Sequence, residues 1–205
     1  MTPSLDEARR QRGVRRGAGG PPFIQFLRGF IKHPVMVGSV IPSSKMLIDK
    51  MLDRVDWNAC RLFVEYGPGV GTFTEHVLRR LPADATLIAI DTNADFTDYL
   101  NRKFRDSRLI AVTGSAADVR KIMAEAGFAE ADYILSGLPF STLPPGIGPK
   151  IAAETAAALR LGGAFLVYQF SPKVRDFLTP HFKRIDKGFE WRNVPPAQLF
   201  WAWKD

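Results

Sequence analysis

The sequence predicts an α/β protein with a Rossmann-like, seven-stranded sheet, mostly parallel and closed by a C-terminal antiparallel hairpin. Three observations carry this. From residue 61 onward, short apolar runs alternate with helix-periodic segments, the pattern of parallel strands joined by right-handed crossovers. The first run, RLFVEYG at 61–67, breaks into a glycine-rich turn before a helix; in an open sheet the ligand crevice lies beyond such strand ends. The last segment, KRIDKGFEWRNVPPAQLFWAWKD at 183–205, reads as a hairpin.

The elements follow in order. After 61–67, strands are expected at 86–91 (TLIAID), 108–115 (RLIAVTGS), 131–140 (ADYILSGLPF, running into a proline turn) and 164–171 (AFLVYQFS). Helices are expected at 72–81, 94–104, 116–127 and 149–163, the last stopped by Gly162 and Gly163, with a short helix within 172–182. Ahead of the sheet, Ser43 or Ser44 can cap a helix from about 45 to 55. Further upstream, PFIQFLRGFIKHP at 22–34 sets Phe23, Phe26, Leu27, Phe30 and Ile31 on one helical face, with Arg28 and Lys32 off that stripe.

A chain of 205 residues can bury a core without disulfides. Its one cysteine, Cys60, excludes an internal bridge and fits a reducing compartment; it reads as a small packing residue. No apolar run reaches the ~20 residues of a membrane-spanning helix, and the charged N-terminus lacks a signal-peptide core, so a cytoplasmic protein is expected. His33, His76 and His181 show no metal-ligand spacing, and no metal is expected. The formal charge is +7, and residues 1–45 hold eight cations against two anions. That end of the chain calls for an anionic partner, nucleic acid or an anionic lipid surface, unless it is only a solubilising tail.

VEYGPGVGTFTEH at 64–76 carries the most specific pattern. Gly67, Gly69 and Gly71 allow a tight turn and close approach to a ligand. A dinucleotide fingerprint would place its third glycine at 72, where Thr72 stands. E-x-G-x-G-x-G resembles the S-adenosylmethionine-dependent methyltransferases, and the resemblance implies that cofactor, with S-adenosylhomocysteine as product. Asp91, twenty residues after Gly71, can accept the ribose hydroxyl protons or cap the next helix. The adenine end is expected at Ser115, Ala116 and Asp118, although Asp118 also suits a helix N-terminus. Glu65 ends a buried strand and needs a partner, and the cofactor's ammonium is a fitting one. Tyr66, Thr92 and Ser136 complete the expected cofactor set.

SGLPF at 136–140 ends the fourth strand, facing the same crevice. It resembles the Asn-Leu-Pro-Tyr and Pro-Pro motifs of amino-group methyltransferases. Carbonyls of Ser136, Gly137 and Leu138 and the Ser136 hydroxyl can aim an amine for in-line attack, orientation that is worth up to about 7–11 kcal/mol. Pro139 shapes the turn. The Phe140 ring can stabilise the cation that forms, or it is a core side chain behind a proline turn. Ser136 is shorter than the usual Asn or Asp, which suits an aliphatic amine. Tyr168 and Gln169 can reach that amine, with Tyr168 or water taking its proton. The loop that holds Ser43 and Ser44 is expected at the same substrate crevice, and Lys45, Lys173 and Arg175 are candidates for a substrate phosphate, or plain surface. Trp191, Trp201 and Trp203 are expected in the core or at the sheet edge.

Taken together, EYGPGVGTFTEHVL, IPSSKML, SGLPF and the N-terminal helix resemble the bacterial phosphatidylethanolamine N-methyltransferases over roughly residues 23–203. The resemblance implies methylation of phosphatidylethanolamine and its mono- and dimethylated forms towards phosphatidylcholine. It also implies peripheral attachment to the inner face of the cytoplasmic membrane. Relatives often carry Glu where Asp91 stands. The expected organisation is a basic tail at 1–21, a helical membrane-binding or lid segment at 22–55, and the methyltransferase domain at 56–205. The runner-up is an rRNA adenine dimethyltransferase. Those enzymes usually add a C-terminal helical domain, and this chain ends at Asp205, so nucleic acid is not the expected partner. A helix of about 12 residues, ~18 Å long, cannot cross a ~30 Å hydrocarbon core but can lie in the interface. A silent binding module is disfavoured by the intact glycines and carboxylates.

Overall fold

The structure, a computed structural model, describes residues 44–205. The expectations for Phe23, Phe26, Leu27, Arg28, Phe30, Ile31, Lys32 and Ser43 fall outside those residues.

Seven strands form one sheet: β1 (Leu62–Tyr66), β2 (Thr86–Asp91), β3 (Leu109–Thr113), β4 (Ala131–Ser136), β5 (Leu159–Gln169), β6 (Arg184–Glu190) and β7 (Ala197–Trp203). Their order is β3-β2-β1-β4-β5-β7-β6. β1 to β5 are parallel, and β7 runs antiparallel to both β5 and β6. The expected sheet and its terminal hairpin are therefore present. The order reverses between β1 and β4, which opens the crevice beyond their carboxyl ends.

β1 is buried along its whole length, which explains why it reads as a continuous apolar run rather than an alternating one. Its residues divide between the faces. Leu62, Val64 and Tyr66 join Phe140, Phe165 and Phe182 in one apolar cluster, while Phe63 joins Phe73, Leu166 and Trp201 in the other. The helices are α1 (Lys45–Leu52), α2 (Thr72–Arg80), α3 (Ala94–Lys103), α4 (Val119–Glu125), α5 (Ile147–Ala158) and α6 (Val174–Leu178). No helix among the described residues is long and apolar enough to cross a membrane.

Ser44 caps α1, its hydroxyl accepting from the Leu47 amide at 3.2 Å. Leu47, Ile48, Met51 and Leu52 are buried in the second cluster, and the Trp201 indole donates to the Met51 carbonyl at 3.0 Å. α1 is thus built into the sheet's core, on the same side as α2.

Two expectations need correction. The helix expected at 149–163 ends at Ala158, and β5 starts at Leu159 beside Ala131, with a register shift before Tyr133. Gly162, at φ 76°, serves that irregular strand start rather than a helix stop. The cause is tertiary: the Arg160 guanidinium is bound by the Asp132 carboxylate of β4. Trp201 is in the core, but Trp191 is 73% exposed, because it lies in the turn beyond the last β6–β7 pair, Glu190 with Ala197. Cys60 is fully buried, and burial pushes its thiol up to about 12, as suits a packing residue.

Asp132 ties the amino ends of the central strands together. Beyond Arg160, its carboxylate accepts from the amides of Arg61 and Leu62 at 2.7 and 2.9 Å. Asp132→Ala would strand two amides and a guanidinium, and is expected to cost about 3–5 kcal/mol. A urea titration should show this as a lowered midpoint at unchanged slope.

Candidate active site

The crevice is assembled by four strand ends. β1 runs into Gly67, Gly69 and Gly71, all with positive φ (65°, 53° and 79°). At Gly71, the residue before α2, a Cβ would also stand 2.6 Å from side-chain atoms of both Leu100 and Phe104. The loop is tied across the sheet: the Gly67 amide donates to the Ile90 carbonyl at 2.9 Å, and the Gly69 amide donates to the Asp91 carboxylate at 3.3 Å.

Two carboxyls face each other across this loop. Glu65, only 3% exposed, accepts from the Thr74 hydroxyl at 2.7 Å. Burial, with a smaller push from Asp91, raises its pKa to about 7. Asp91 ends β2, and burial raises it too, against amide donors that favour its charge. Its second oxygen accepts from the Asn93 amide at 2.9 Å. Asn93, not Asp91, caps α3, so the capping reading of Asp91 falls away, and its two oxygens hold backbone amides of the loop and of Asn93. Buried carboxyls of this kind are stabilised by a bound cation, so the pair fits an amino-acid ammonium on one side and a ribose on the other. The cradle therefore suits the cofactor expected for it.

At the adenine end, Ser115 caps a short 3-10 turn, Ala116–Asp118, accepting from the Ala117 amide at 3.2 Å. Ala116 is buried. The Asp118 carboxylate stands 3.6 Å from the Lys150 ammonium of α5, at the start of α4, which favours its reading as a helix N-terminal charge. Thr72 opens α2 and is half-buried; Thr92 is exposed. Tyr66 points the other way, into the core, its hydroxyl 3.1 Å from that of Thr155. Its side chain is thus removed from the expected cofactor set, since strand alternation turns it from the loop.

The β4 end is organised differently from expectation. Ser136 is fully buried, and its hydroxyl accepts from the Leu138 amide at 3.2 Å. The Leu138 carbonyl accepts from both the Phe140 amide, at 2.9 Å, and the Gln169 side chain. Both of its lone pairs are thereby used, so it does not aim a substrate amine. Gln169 is correspondingly a brace for the turn. Phe140 turns inward, 2% exposed, with its ring against Phe165 and Phe177. Its core reading holds, and its expected role beside the reacting cation is withdrawn: the 3-10 turn after Pro139 carries the ring beneath the sheet end.

Tyr168 occupies the place left over. Its ring stacks on Phe73 of α2, with centroids 5.0 Å apart. A Cβ on Gly137 would overlap the Tyr168 hydroxyl and come within 2.9 Å of Cζ. Gly137, Pro139 and Tyr168 line an open cleft of about 170 Å³ with Ser141, Thr142 and Phe170. Sequence reasoning missed Phe73, Thr74, Ser141, Thr142 and Phe170. TFTE after the last glycine was the available signal for the first two, but nothing local shows that Phe73 floors a tyrosine ninety-five residues away. Lys45, Lys173 and Arg175 are exposed, and Ser44 is used as a cap.

Comparisons with known proteins agree with this geometry. No family model matches the chain. It is 29% identical to the ornithine lipid N-methyltransferase of Singulisphaera acidiphila over 182 residues, which cover 88% of this chain and 95% of that one. It is 31% identical to ribosomal RNA small subunit methyltransferase A of Mycoplasma capricolum over 98 residues, 46% of this chain and 35% of the relative. Among solved structures, the O-methyltransferase from Bacillus cereus in complex with SAH superposes with a TM-score of 0.63 at 12% identity, over 98% of this chain and 97% of that one. The chain has the fold of the class I S-adenosylmethionine-dependent methyltransferases.

Proposed function

We propose that this protein N-methylates the primary amine of a membrane lipid at the cytoplasmic face of the membrane. Phosphatidylethanolamine and its mono- and dimethylated forms are the substrates, and phosphatidylcholine is the end product. The observation that carries the reading is the match to a lipid N-methyltransferase along 95% of that relative's length. The cleft supports it: Gly137, Pro139 and Tyr168 meet at the β4 and β5 ends, and Phe170, 41% exposed, stands at the mouth where an acyl chain would pass.

Mechanistically, the cofactor supplies an electrophilic methyl group when bound. Glu65, Asp91 and the glycine loop would hold it at the ends of β1 and β2. Tyr168 stands where an incoming amine must pass, and its hydroxyl can accept the N–H that orients the lone pair. An aliphatic ammonium has a pKa near that of lysine, about 10.4, so a proton must leave before nitrogen attacks. Water receives it, directly or through the Tyr168 hydroxyl, which passes its own proton on to water as it accepts the ammonium's. The freed lone pair, held by the N–H bond that Tyr168 accepts, would take the methyl group that the bound cofactor would supply, with S-adenosylhomocysteine as the leaving product.

Labelled S-adenosylmethionine offered with phosphatidylethanolamine vesicles, ornithine lipid vesicles and ribosomal RNA tests this. Label in phosphatidylethanolamine, chased into phosphatidylcholine, is the expected result. Label only in ornithine lipid would keep the amine-lipid chemistry and change the headgroup. Label only in RNA would favour the second reading, adenine methylation, for which the 98-residue match to the ribosomal RNA enzyme is the specific support.

A further inference from the structure

Seven large hydrophobic side chains are well exposed among the described residues, and five of them stand at one end of the sheet: Met46, Phe170, Phe189, Trp191 and Val194. The fold brings them there. The turn between β6 and β7 lies at the carboxyl end of β5, because β7 runs back along β5. Phe189, Gln198 and Gln169 form one cross-strand row, so Phe189 sits about 10 Å, two strand spacings, from the cleft. α1 starts against the same turn: the Ser44 amide donates to the Asn193 side chain at 2.9 Å, and the Lys50 ammonium donates to the Phe189 carbonyl at 2.9 Å. Trp191 and Val194, 73% and 77% exposed, are the most prominent.

The surroundings are cationic. Lys45, Lys50 and Arg192 ring this end; the buried Glu190 carboxylate answers two of them, Arg192 at 3.0 Å and Lys50 at 3.9 Å. We infer that the β6–β7 turn, with the start of α1, is a docking surface for an anionic lipid bilayer, holding the cleft mouth against the membrane. The inference rests on the lipid reading above. A tryptophan and an aliphatic tip inside a basic ring suit the headgroup boundary. Cations near an anionic leaflet add attraction. Residues 1–43 carry seven cations against two anions, so the chain's own N-terminal stretch is electrostatically mismatched to this surface. RNA would be better served by stacking rings along a groove, and Met46 and Val194 offer none.

The test uses the full chain carrying Trp191→Asp together with Val194→Asp, both outside the cleft. Co-sedimentation with phosphatidylethanolamine–phosphatidylglycerol vesicles should weaken at least about tenfold, as two buried apolar side chains are lost from the interface. Transfer to vesicle lipid should fall in parallel. Transfer to a short-chain amine lipid dissolved as a monomer should be unchanged. Brominated lipids should quench wild-type tryptophan fluorescence, and Trp191→Phe should remove most of that quenching. Unchanged sedimentation of the double variant would overturn the inference while leaving lipid methylation standing. A wild-type dimer made monomeric by the substitutions would assign the surface to a second copy and overturn it equally. Normal vesicle docking through Trp191, with no transfer to any lipid, would instead sink the proposed reaction and keep the surface.

Discussion

Gly137→Ala is expected to lower kcat/KM for methyl transfer about 100-fold, the scale on which a misplacement of about 1 Å acts in an oriented reaction. The backbone at Gly137 is not in the left-handed region, so strain is not the cause. The new methyl group would collide with the Tyr168 hydroxyl and Cζ, and the ring must leave its stack on Phe73. Crowding of this sort typically costs about 1–3 kcal/mol of stability. Adding Tyr168→Phe removes the hydroxyl that overlaps first. The double variant should therefore regain much of the lost stability, measured by urea unfolding, without regaining rate. If it regained rate as well, the Tyr168 hydroxyl would have no part in the reaction.

Glu65→Gln should change how stability depends on pH and remove most of the cofactor affinity. In the unfolded chain Glu65 ionises near 4.5; in the fold, burial holds it to about 7. Between these values the folded state binds the extra proton. Stability therefore falls as pH rises through that interval, and above about 7 the loss is complete, roughly 3 kcal/mol. Thermal unfolding of the cofactor-free protein should show the melting temperature sliding down over this range, and Glu65→Gln should flatten the slide. Any remaining slope of the same sign belongs to Asp91, which burial also raises. Added S-adenosylmethionine should reverse the trend in the wild type, since its ammonium favours the ionised carboxylate. Its stabilising effect should be larger at about pH 8 than at about pH 5, and lose that pH dependence in Glu65→Gln. Equal stabilisation of both proteins would place the ammonium elsewhere.

By itself, the sequence determined the sheet and the glycine loop with its two flanking carboxyls. Buried parallel strands must be apolar on both faces, so LFVEY and TLIAID announce themselves without any partner. A backbone that needs positive φ at 67, 69 and 71 needs glycine there, which makes the loop legible letter by letter. Glu65 and Asp91 are conspicuous because carboxylates are out of place at the ends of such strands. Tertiary structure decided what depends on contacts between distant residues. Whether LRLGG is helix or strand turned on Arg160 meeting Asp132 across β4. Whether Phe140 or Tyr168 lines the cleft turned on a 3-10 turn that buries one ring beside Phe165 and on the Phe73 floor that holds the other there. Whether Trp191 is core or surface turned on where the hairpin bends: it lies in the turn beyond the last pair, whereas Trp201, on β7, is buried under α1. Propensity and periodicity act over a few neighbouring residues, whereas these choices were made by side chains brought together from about twenty-five to a hundred and fifty positions apart.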